Sequence, residues 1–191
     1  MKIHILNKLR SVVFRNTSNQ NRTLFYWLTI IFNRVDEQRI KELGPDLACA
    51  EWLLRNGAFV RWKDCSEELT CYDSLPSEKN NYFIEAVNAN DAGISHVGFP
   101  YFGCKHIKEI KLENCRYINN QAIPLLSVLK DSLNKLELIN CKSITNESLP
   151  AIKVLKNLEI LKLQGLPYLE NKDSVCKELI EALPNCKIDI S

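Results

Sequence analysis

The stretch Leu133-Asn-Lys-Leu136-Glu-Leu138-Ile-Asn-Cys141 decides the fold class of this 191-residue chain. Its hydrophobic residues follow the pattern Leu-x-x-Leu-x-Leu, in which alternate residues of a short strand point to the same side. The same pattern starts at Ile107, Leu158 and Leu183, so the four starts are 26, 25 and 25 residues apart. This spacing is typical of leucine-rich repeats, in which each unit contributes one strand.

Further positions keep the same register around these four copies. A weaker copy, Ile84-x-x-Val87-x-Ala89, begins 23 residues before the first strong one. The apolar positions that follow three of the strands are Cys115, Cys141, Leu166, Ile118, Ile144 and Leu169. We therefore predict an α/β fold, a short leucine-rich-repeat solenoid of four or five repeats. The return segments should be helical, with Asn119 or Asn120 and Thr145 as N-caps.

Residues between the core hydrophobes of each strand are expected on the concave face of this solenoid. One predicted column contains Asn88, Lys111, Glu137, Lys162 and Lys187, and its neighbour contains Asn90, Glu113, Ile139, Gln164 and Asp189. Both columns mix charge signs. Such a surface suits protein recognition, although a solvated face would look the same. The columns offer no paired nucleophile and base.

The charge of the chain is concentrated at its start. Residues 1–35 carry six basic and no acidic residues, whereas the remainder carries 19 basic and 23 acidic residues. Residues 1–22 also place Ile5, Leu6 and Leu9 on one side of a helix, which is typical of a mitochondrial transit peptide. We expect processing between Arg15 and Thr23. An ordinary basic terminus is the alternative interpretation.

Residues 23–80 lack the 25-residue period and are predicted to form a helical N-terminal capping domain before the repeats at 81–191. Asp36 is a suitable N-cap, and Gly44-Pro45 separates two helices, the second of which ends at Gly57. The apolar run Leu24–Phe32 is about half the ~20 residues needed to span a bilayer. Its aromatic residues could pack on the cap or lie at a membrane interface.

Composition excludes several classes of protein. Nucleic-acid-binding proteins are usually strongly basic, so a net charge of +2 argues against a nucleic-acid partner. The eight cysteines contain no Cys-x-x-Cys pair, and the three histidines form no metal-binding motif. Phosphate-binding loops and nucleophile motifs are also missing, so we predict that the protein is not an enzyme.

The capping segment carries a specific resemblance. Phe25-Tyr-Trp27, Phe32-Asn-Arg-Val-Asp36, Gly44-Pro-Asp46 and Ala50-Glu-Trp-Leu-Leu-Arg-Asn-Gly-Ala58 resemble the mitochondrial ATP synthase subunit s (coupling factor B) family over residues 24–190. The resemblance implies a regulatory factor on the matrix side of the mitochondrial inner membrane. Such a factor binds the membrane sector of ATP synthase, does not span the membrane, and supports coupled proton conduction by blocking a proton leak. A homo-oligomer is compatible with this role.

The resemblance also implies a Mg²⁺ site and a reactive thiol. By motif alignment, the backbone carbonyls of Gly57 and Asn90 would bind Mg²⁺, with water completing the octahedral coordination. Relatives carry a Cys-x-Cys pair in the first strong repeat, whereas this chain has Glu113-Asn114-Cys115 there. Only Cys115 of this pair is present, so the candidate redox-sensitive thiol is Cys115 or a more distant cysteine.

Two alternative functions share the predicted architecture. An assembly factor of respiratory complex I would have similar repeats in the same organelle. A cytosolic substrate receptor of a ubiquitin ligase would also have cysteine-containing repeats, but it should begin with a three-helix adaptor-binding domain. Pro45 and Gly57 interrupt the helical segment, so it is too short for a three-helix domain of this kind.

Overall fold

The computed structural model describes residues 19–76 and 82–191. The chain divides into two compact units, residues 1–32 and 33–191. The first unit contains helix α1 (Asn19–Phe32), and all other described elements belong to the second. The transit peptide expected at residues 1–22 lies outside the described residues except for its last four, which begin α1.

Two helices begin the second unit where the sequence predicts them. Helix α2 (Glu37–Leu43) is capped by Asp36, whose carboxylate accepts a hydrogen bond from the backbone N of Arg39 at 2.9 Å. Helix α3 (Pro45–Arg55) starts directly after Gly44, which has a φ of +85°. The expected break at Gly44-Pro45 is therefore confirmed. All α3 residues from Asp46 to Leu54 are buried.

The segment between α3 and the predicted repeats contains strands as well as helices. Strand β1 (Phe59–Trp62) pairs antiparallel with the short strand β2 (Glu68–Leu69), and a 3₁₀ turn follows at Tyr72–Ser74. We had expected only helices before residue 81. The sequence of β1 alternates half-buried and buried residues and contains two aromatic residues and a valine, which favours a strand.

A single mixed sheet of seven strands, in the order β2-β1-β3-β4-β5-β6-β7, forms the centre of the second unit. Strand β1 is antiparallel to both β2 and β3, and the strands from β3 to β7 are parallel to one another. The bounds of the parallel strands are β3 Ile84–Asn90, β4 Glu109–Glu113, β5 Lys135–Ile139, β6 Ile160–Gln164 and β7 Lys187–Ile190.

Two columns of hydrophobic side chains cross the parallel strands on the buried face. The first contains Val87, Ile110, Leu136, Leu161 and Ile188. The second contains Ala89, Leu112, Leu138, Leu163 and Ile190. The weak copy of the sequence pattern and its first three strong copies therefore align as predicted.

The alignment of the fourth strong copy is wrong by two residues. We placed Ile188 opposite Leu163, whereas it pairs with Leu161, and Asp189 rather than Lys187 lies beside Lys162. Helix α5 (Lys172–Ala182) precedes this strand and has 11 residues. An α-helix rises about 1.5 Å per residue and a 3₁₀ helix about 2.0 Å, so an α-helical return segment needs more residues to cover the same length.

The earlier return segments are short. One consists of α4 (Ala122–Leu125) followed by a 3₁₀ turn at Leu126–Leu129, and the next is a 3₁₀ helix at Leu149–Val154. Asn119 Oδ1 and Thr145 Oγ1 accept hydrogen bonds from the backbone N of Gln121 at 3.0 Å and of Glu147 at 3.3 Å, as N-cap side chains do, although α4 begins only at Ala122 and the 3₁₀ helix at Leu149. Asn120 does not act as an N-cap. Instead, Asn120 Oδ1 accepts a hydrogen bond from Thr145 N at 2.9 Å, which joins consecutive turns.

One continuous hydrophobic core runs from Leu47 in α3 to Leu183 after α5. The N-terminal helices of the second unit and the parallel strands therefore share their packing. Within the described residues, no helix combines the length and the apolar character needed to cross a membrane.

Candidate functional site

The exposed face of the sheet carries most of the charged residues that the sequence places there. We call this surface the charged face. Its charged members are Arg61, Glu68, Glu109, Lys111, Glu113, Lys135, Glu137, Lys162, Lys187 and Asp189. Positive and negative side chains alternate across neighbouring strands, because Lys111, Glu137, Lys162 and Asp189 follow one another in register.

Ion pairs connect the first half of the charged face. Arg61 on β1 pairs with Glu85, and also with Glu109 at 3.0 Å, while Lys108 reaches Glu85 at 2.9 Å. Hydrogen bonds from Lys108 and Arg61 lower the pKa of the Glu85 carboxyl. Arg61 therefore joins three strands.

Pairs along single strands continue this pattern. Lys111 lies 2.7 Å from Glu113, which raises the pKa of the lysine, and Lys135 lies 3.6 Å from Glu137. At the edge of the face a shallow depression of about 440 Å³ is lined by Lys108, Glu109, Asn134, Lys135, Glu159 and Ile160. Its mixed lining suits a protein surface better than a small ligand, which usually needs a deeper apolar pocket.

The two residues predicted to bind Mg²⁺ lie in segments at the same end of the sheet. The antiparallel register of β1 and β3 ends with Phe59 opposite Asn88, two residues from Gly57 and from Asn90. Next to them, the backbone N of Gly93 donates to the Asn56 carbonyl at 2.7 Å. Gly57 has a φ of +83°, and Asn90 ends β3 beside Glu113 of β4. The two backbones therefore meet at one end of the sheet.

The residues around this position only partly match the needs of Mg²⁺. Magnesium usually takes one or two carboxylates in addition to water and carbonyl oxygens. Asp91 follows Asn90 directly, but its carboxylate lies 3.5 Å from Arg116. Among the described residues, no three His, Cys, Asp or Glu side chains are grouped so that they could hold a metal ion. Backbone carbonyls and water would have to supply most ligands.

Cys115 lies in the hydrophobic core. Its side chain is fully buried, and its thiol donates a hydrogen bond to the carbonyl of Ala89 at 3.4 Å. Burial raises the pKa of Cys115 to about 12. Cys141 occupies the equivalent place one repeat later, with its thiol 3.5 Å from the Leu112 carbonyl. A thiol reacts as its thiolate, and both the burial of Cys115 and its raised pKa oppose formation of the thiolate.

A ladder of asparagine side chains was missed by the sequence analysis. Asn114 Nδ2 donates to Asn90 Oδ1, and Asn140 Nδ2 donates to Asn114 Oδ1, each at 3.1 Å. Asn114 and Asn140 both have positive φ, at +53° and +54°. The sequence contains a signal for this ladder, since Asn114 and Asn140 directly precede Cys115 and Cys141 and are 26 residues apart.

The family motif Phe32-Asn-Arg-Val-Asp36 positions a buried asparagine. Asn33 is fully buried, and its Oδ1 accepts hydrogen bonds from Trp52 Nε1 at 3.0 Å and from the backbone N of Ser95 at 2.9 Å. Its Nδ2 donates to the carbonyl of Gly93 at 2.9 Å. We call this arrangement the Asn33 hub. It connects the start of the second unit to α3 and to the loop after β3.

Two acidic residues in the other family motifs have pKa values that are shifted in opposite directions. Glu51 binds Arg39 through both carboxylate oxygens, at 2.6 and 2.9 Å, and accepts a hydrogen bond from Tyr72 at 3.0 Å. The bond from Arg39 is the main cause of a lowered pKa at Glu51. Asp46 accepts a hydrogen bond from Ile84 N at 2.8 Å, yet burial raises its pKa. Both residues therefore serve structure.

Similarity to curated proteins identifies one family. No protein-family model matches the chain. The chain is 36% identical to rat "ATP synthase subunit s, mitochondrial" over 179 residues, which cover 91% of this chain and 90% of the relative. The human and bovine proteins of the same name are 34% and 33% identical over 178 residues, covering 91% of this chain and 89% of each relative. The chain therefore belongs to the mitochondrial ATP synthase subunit s family.

Proposed function

We propose that this protein is a non-enzymatic coupling factor of mitochondrial ATP synthase, which binds the membrane sector from the matrix side and limits a proton leak. The observation that carries the proposal is the similarity to subunit s along nearly the whole length of both chains. Neither a complex I assembly factor nor a ubiquitin ligase receptor is favoured, because the relatives bear the name of an ATP synthase subunit.

Helix α1 supports a peripheral position at the inner membrane. Several of its large apolar side chains are exposed, with Trp27 at 58%, Phe32 at 54% and Ile31 at 41%. Tryptophan and other amphipathic aromatic residues are favoured at membrane–water interfaces. Their exposure on a helix of 14 residues fits a segment that lies on the bilayer.

The first experiment is a depletion and add-back in isolated mitochondria. We expect the full chain to migrate with ATP synthase on native gels, and oligomycin-insensitive respiration to rise on depletion and fall on add-back. Migration with complex I intermediates would contradict the proposal. So would migration with ATP synthase combined with an unchanged leak, because the coupling role would then be lost while the association remained.

The charged face is the surface that we propose contacts the ATP synthase partner. Its alternating charges suit a partner of complementary pattern, since such patterns contribute mainly to specificity and association rate. Lys162→Glu would place a third acidic side chain between Glu137 and Asp189 and should weaken co-migration with the complex. Lys130→Glu, on an exposed return segment, is the matched control and should leave co-migration unchanged.

We also propose that strands β3 to β7 with their return segments are a leucine-rich-repeat solenoid. The parallel register and the equivalent places of Cys115 and Cys141 support this architecture. In a solenoid each unit contacts only its neighbours. Deleting residues 115–140 removes one whole unit and joins Asn114 to Cys141, so the remaining chain should still unfold cooperatively. Deleting only residues 115–127 removes about half a unit and should abolish cooperative unfolding. Equal disruption by both deletions would contradict the proposal.

A Mg²⁺ site at the carbonyls of Gly57 and Asn90 stays a proposal of its own, supported by the end of the β1–β3 register at Phe59 and Asn88 and by the hydrogen bond between Gly93 N and the Asn56 carbonyl nearby. Mn²⁺, a paramagnetic substitute, should broaden the amide NMR signals near both residues, and excess Mg²⁺ should reverse this effect. Amides near Lys130, on a return segment, serve as the control. Broadening confined to exposed carboxylates elsewhere would contradict the site.

A further inference from the structure

The last strand of the sheet has one edge without a neighbouring strand in the part of the chain that the structure describes. Strand β7 pairs only with β6, in parallel register. Lys187 N donates to the Glu159 carbonyl at 2.7 Å, and Ser191 N donates to the Leu163 carbonyl at 3.0 Å. In such a ladder alternate residues face the neighbour, so the backbone groups of Ile188 and Ile190 point away from β6.

The hydrophobic columns are also incompletely covered at this edge. Leu161 and Leu163 on β6 are fully buried, whereas Ile188 and Ile190, which continue their columns, are only half-buried. Cys186, just before β7, is half-buried as well. An edge that offers both free backbone groups and apolar side chains is a template for strand pairing.

We propose that β7 pairs antiparallel with β7 of a second copy of this chain, around a twofold axis that passes beside Ile188. A twofold contact of this kind is self-complementary, because each copy presents the same surface to the other. The two sheets would then continue into one another, with their charged faces on the same side.

The backbone fits this register. Ile188 of each copy would exchange N–H···O=C hydrogen bonds with Ile188 of the other, and the N–H of Ile190 would donate to the carbonyl of Cys186 in the second copy. The amide N–H of Cys186 is already used, since it donates to the Leu183 carbonyl at 3.0 Å. On the core side, Ile188 meets Ile188 and Ile190 meets Cys186, so the apolar columns would be covered.

Charge selects this register over its nearest competitor. With Ile188 on the axis, Lys187 of each copy lies opposite Asp189 of the other, and Lys162 already flanks Asp189 from β6. Shifting the axis to Asp189 would also use the free backbone groups, but it would set the two Asp189 carboxylates directly opposite each other. Opposite charges across antiparallel strands are stabilising and like charges are destabilising.

The first test uses proline, which lacks an N–H. Ile188→Pro removes the outward-facing donor without touching the bonds to β6, which use the residues on either side. Sedimentation velocity of the full 22.0 kDa chain over a wide concentration range should show a monomer–dimer equilibrium. Ile188→Pro should weaken dimerisation by at least about tenfold. Ile188→Val keeps the N–H and the apolar side chain, and it should dimerise as the parent does.

The second test uses charge and stays informative if the proline variant fails to fold. Asp189→Lys places a lysine opposite Lys187 at both ends of the contact. The like charges should weaken the dimer by about tenfold. The double variant Lys187→Asp with Asp189→Lys restores two opposite-charge pairs and should recover dimerisation. In the competing register the double variant would still face like charges at the axis, so it would not recover.

Three results would overturn the proposal. The parent chain could remain monomeric at every concentration. The dimer could form equally well with Ile188→Pro, which would move the contact elsewhere on the molecule. Finally, Ile188→Pro and Asp189→Lys could each weaken the dimer while the double variant Lys187→Asp with Asp189→Lys fails to recover it. This result would exclude the register around Ile188. A strand of another protein bound at β7 in place of a second copy would appear as a monomer when the pure chain is measured.

Discussion

The N-terminal part of the second unit and its parallel strands are stabilised in different ways. Residues 33–62 depend on single polar contacts, such as the Asn33 hub and the pairing of Glu51 with Arg39. The parallel strands instead repeat one contact many times, with each hydrophobic position equivalent to the next. A unique contact has no substitute when it is lost, whereas a repeated contact is lost only locally. Sensitivity to mutation should therefore differ between the two regions.

The largest effect is expected at the Asn33 hub. Asn33→Leu would leave the Trp52 indole N–H, the Ser95 amide N–H and the Gly93 carbonyl without a partner in the interior. Each orphaned buried group costs about 1–3 kcal/mol, so we expect the free energy of unfolding to fall by about 4 kcal/mol. Chemical denaturation followed by circular dichroism measures this.

Asn185→Leu is the control for this substitution, because Asn185 is exposed. It should change the free energy of unfolding by less than about 0.5 kcal/mol. Equal effects at the two positions would show that the hub does not stabilise the fold.

The next effect concerns the repeated contacts. Leu136→Ala removes a fully buried side chain from the middle of a hydrophobic column and should cost about 3 kcal/mol. Ile188→Ala changes the same column at its half-buried end and should cost only about 1 kcal/mol. Thermal and urea unfolding of both variants check this gradient, and an equal loss at the two positions would contradict it.

A smaller effect concerns the steric fit between α3 and the loop after β3. A Cβ at Gly98 would overlap the indole ring of Trp52, whereas a Cβ at Gly103 would meet only the Pro100 carbonyl at 3.8 Å. Overfilling a packed core costs about 1–3 kcal/mol, so Gly98→Ala should lower the unfolding free energy by about 2 kcal/mol. Gly103→Ala should be nearly neutral in the same measurement, and a reversed order would refute the packing argument.

The asparagine ladder should respond more weakly. Asn114→Ala removes two hydrogen bonds and forces alanine into a φ of +53°, which should cost about 1.5 kcal/mol. Asn114→Gly loses the same bonds but tolerates the backbone conformation, so it should be about 1 kcal/mol more stable than the alanine variant. If both variants unfold alike, the backbone conformation carries none of the effect.

The smallest effect is a contrast in pH dependence. The pKa of Glu51 is lowered from 4.5 by its bonds to Arg39, so its contribution to stability is present above pH 4.5 and is lost as the pH falls through the lower, folded-state value. Burial raises the pKa of Asp46 from 3.8, so its favourable contribution is present below pH 3.8 and is lost as the pH rises through the folded-state value.

Substitutions by amides test these signs. Relative to the parent, Glu51→Gln should lose stability at pH 7 and approach the parent in acid. Asp46→Asn keeps an acceptor for the Ile84 amide and should gain stability relative to the parent as the pH rises from 3 to 7. The two pH curves should therefore bend in opposite directions, and parallel curves would contradict the assignment.

Much of the fold could be read from local patterns. The repeated hydrophobic positions predicted the strands from β3 to β6, and the Asp36 cap with Gly44-Pro45 predicted α2 and α3. These features depend on neighbouring residues, so the sequence alone contains them.

Features that depend on distant residues could not be read in this way. The Asn33 hub joins residues about 60 positions apart, and no local period marks such a contact. The register of β7 depends on the number of residues that α5 consumes, which the apolar pattern at Leu183 and Cys186 does not reveal. The candidate metal position was predicted by family resemblance, and only the antiparallel pairing of β1 with β3 places Gly57 and Asn90 near the same end of the sheet.

The long span of the Asn33 hub also sets an order of events for a chain that emerges gradually from a ribosome or a membrane pore. Asn33 cannot complete its hydrogen bonds until Gly93 and Ser95 have emerged, so the hub that joins the start of the unit to α3 must wait for about 60 further residues of synthesis or transport. Each later strand needs only the strand that emerged roughly 25 residues before it. The part of the unit that appears first is therefore completed late, and the rest can be added one strand at a time.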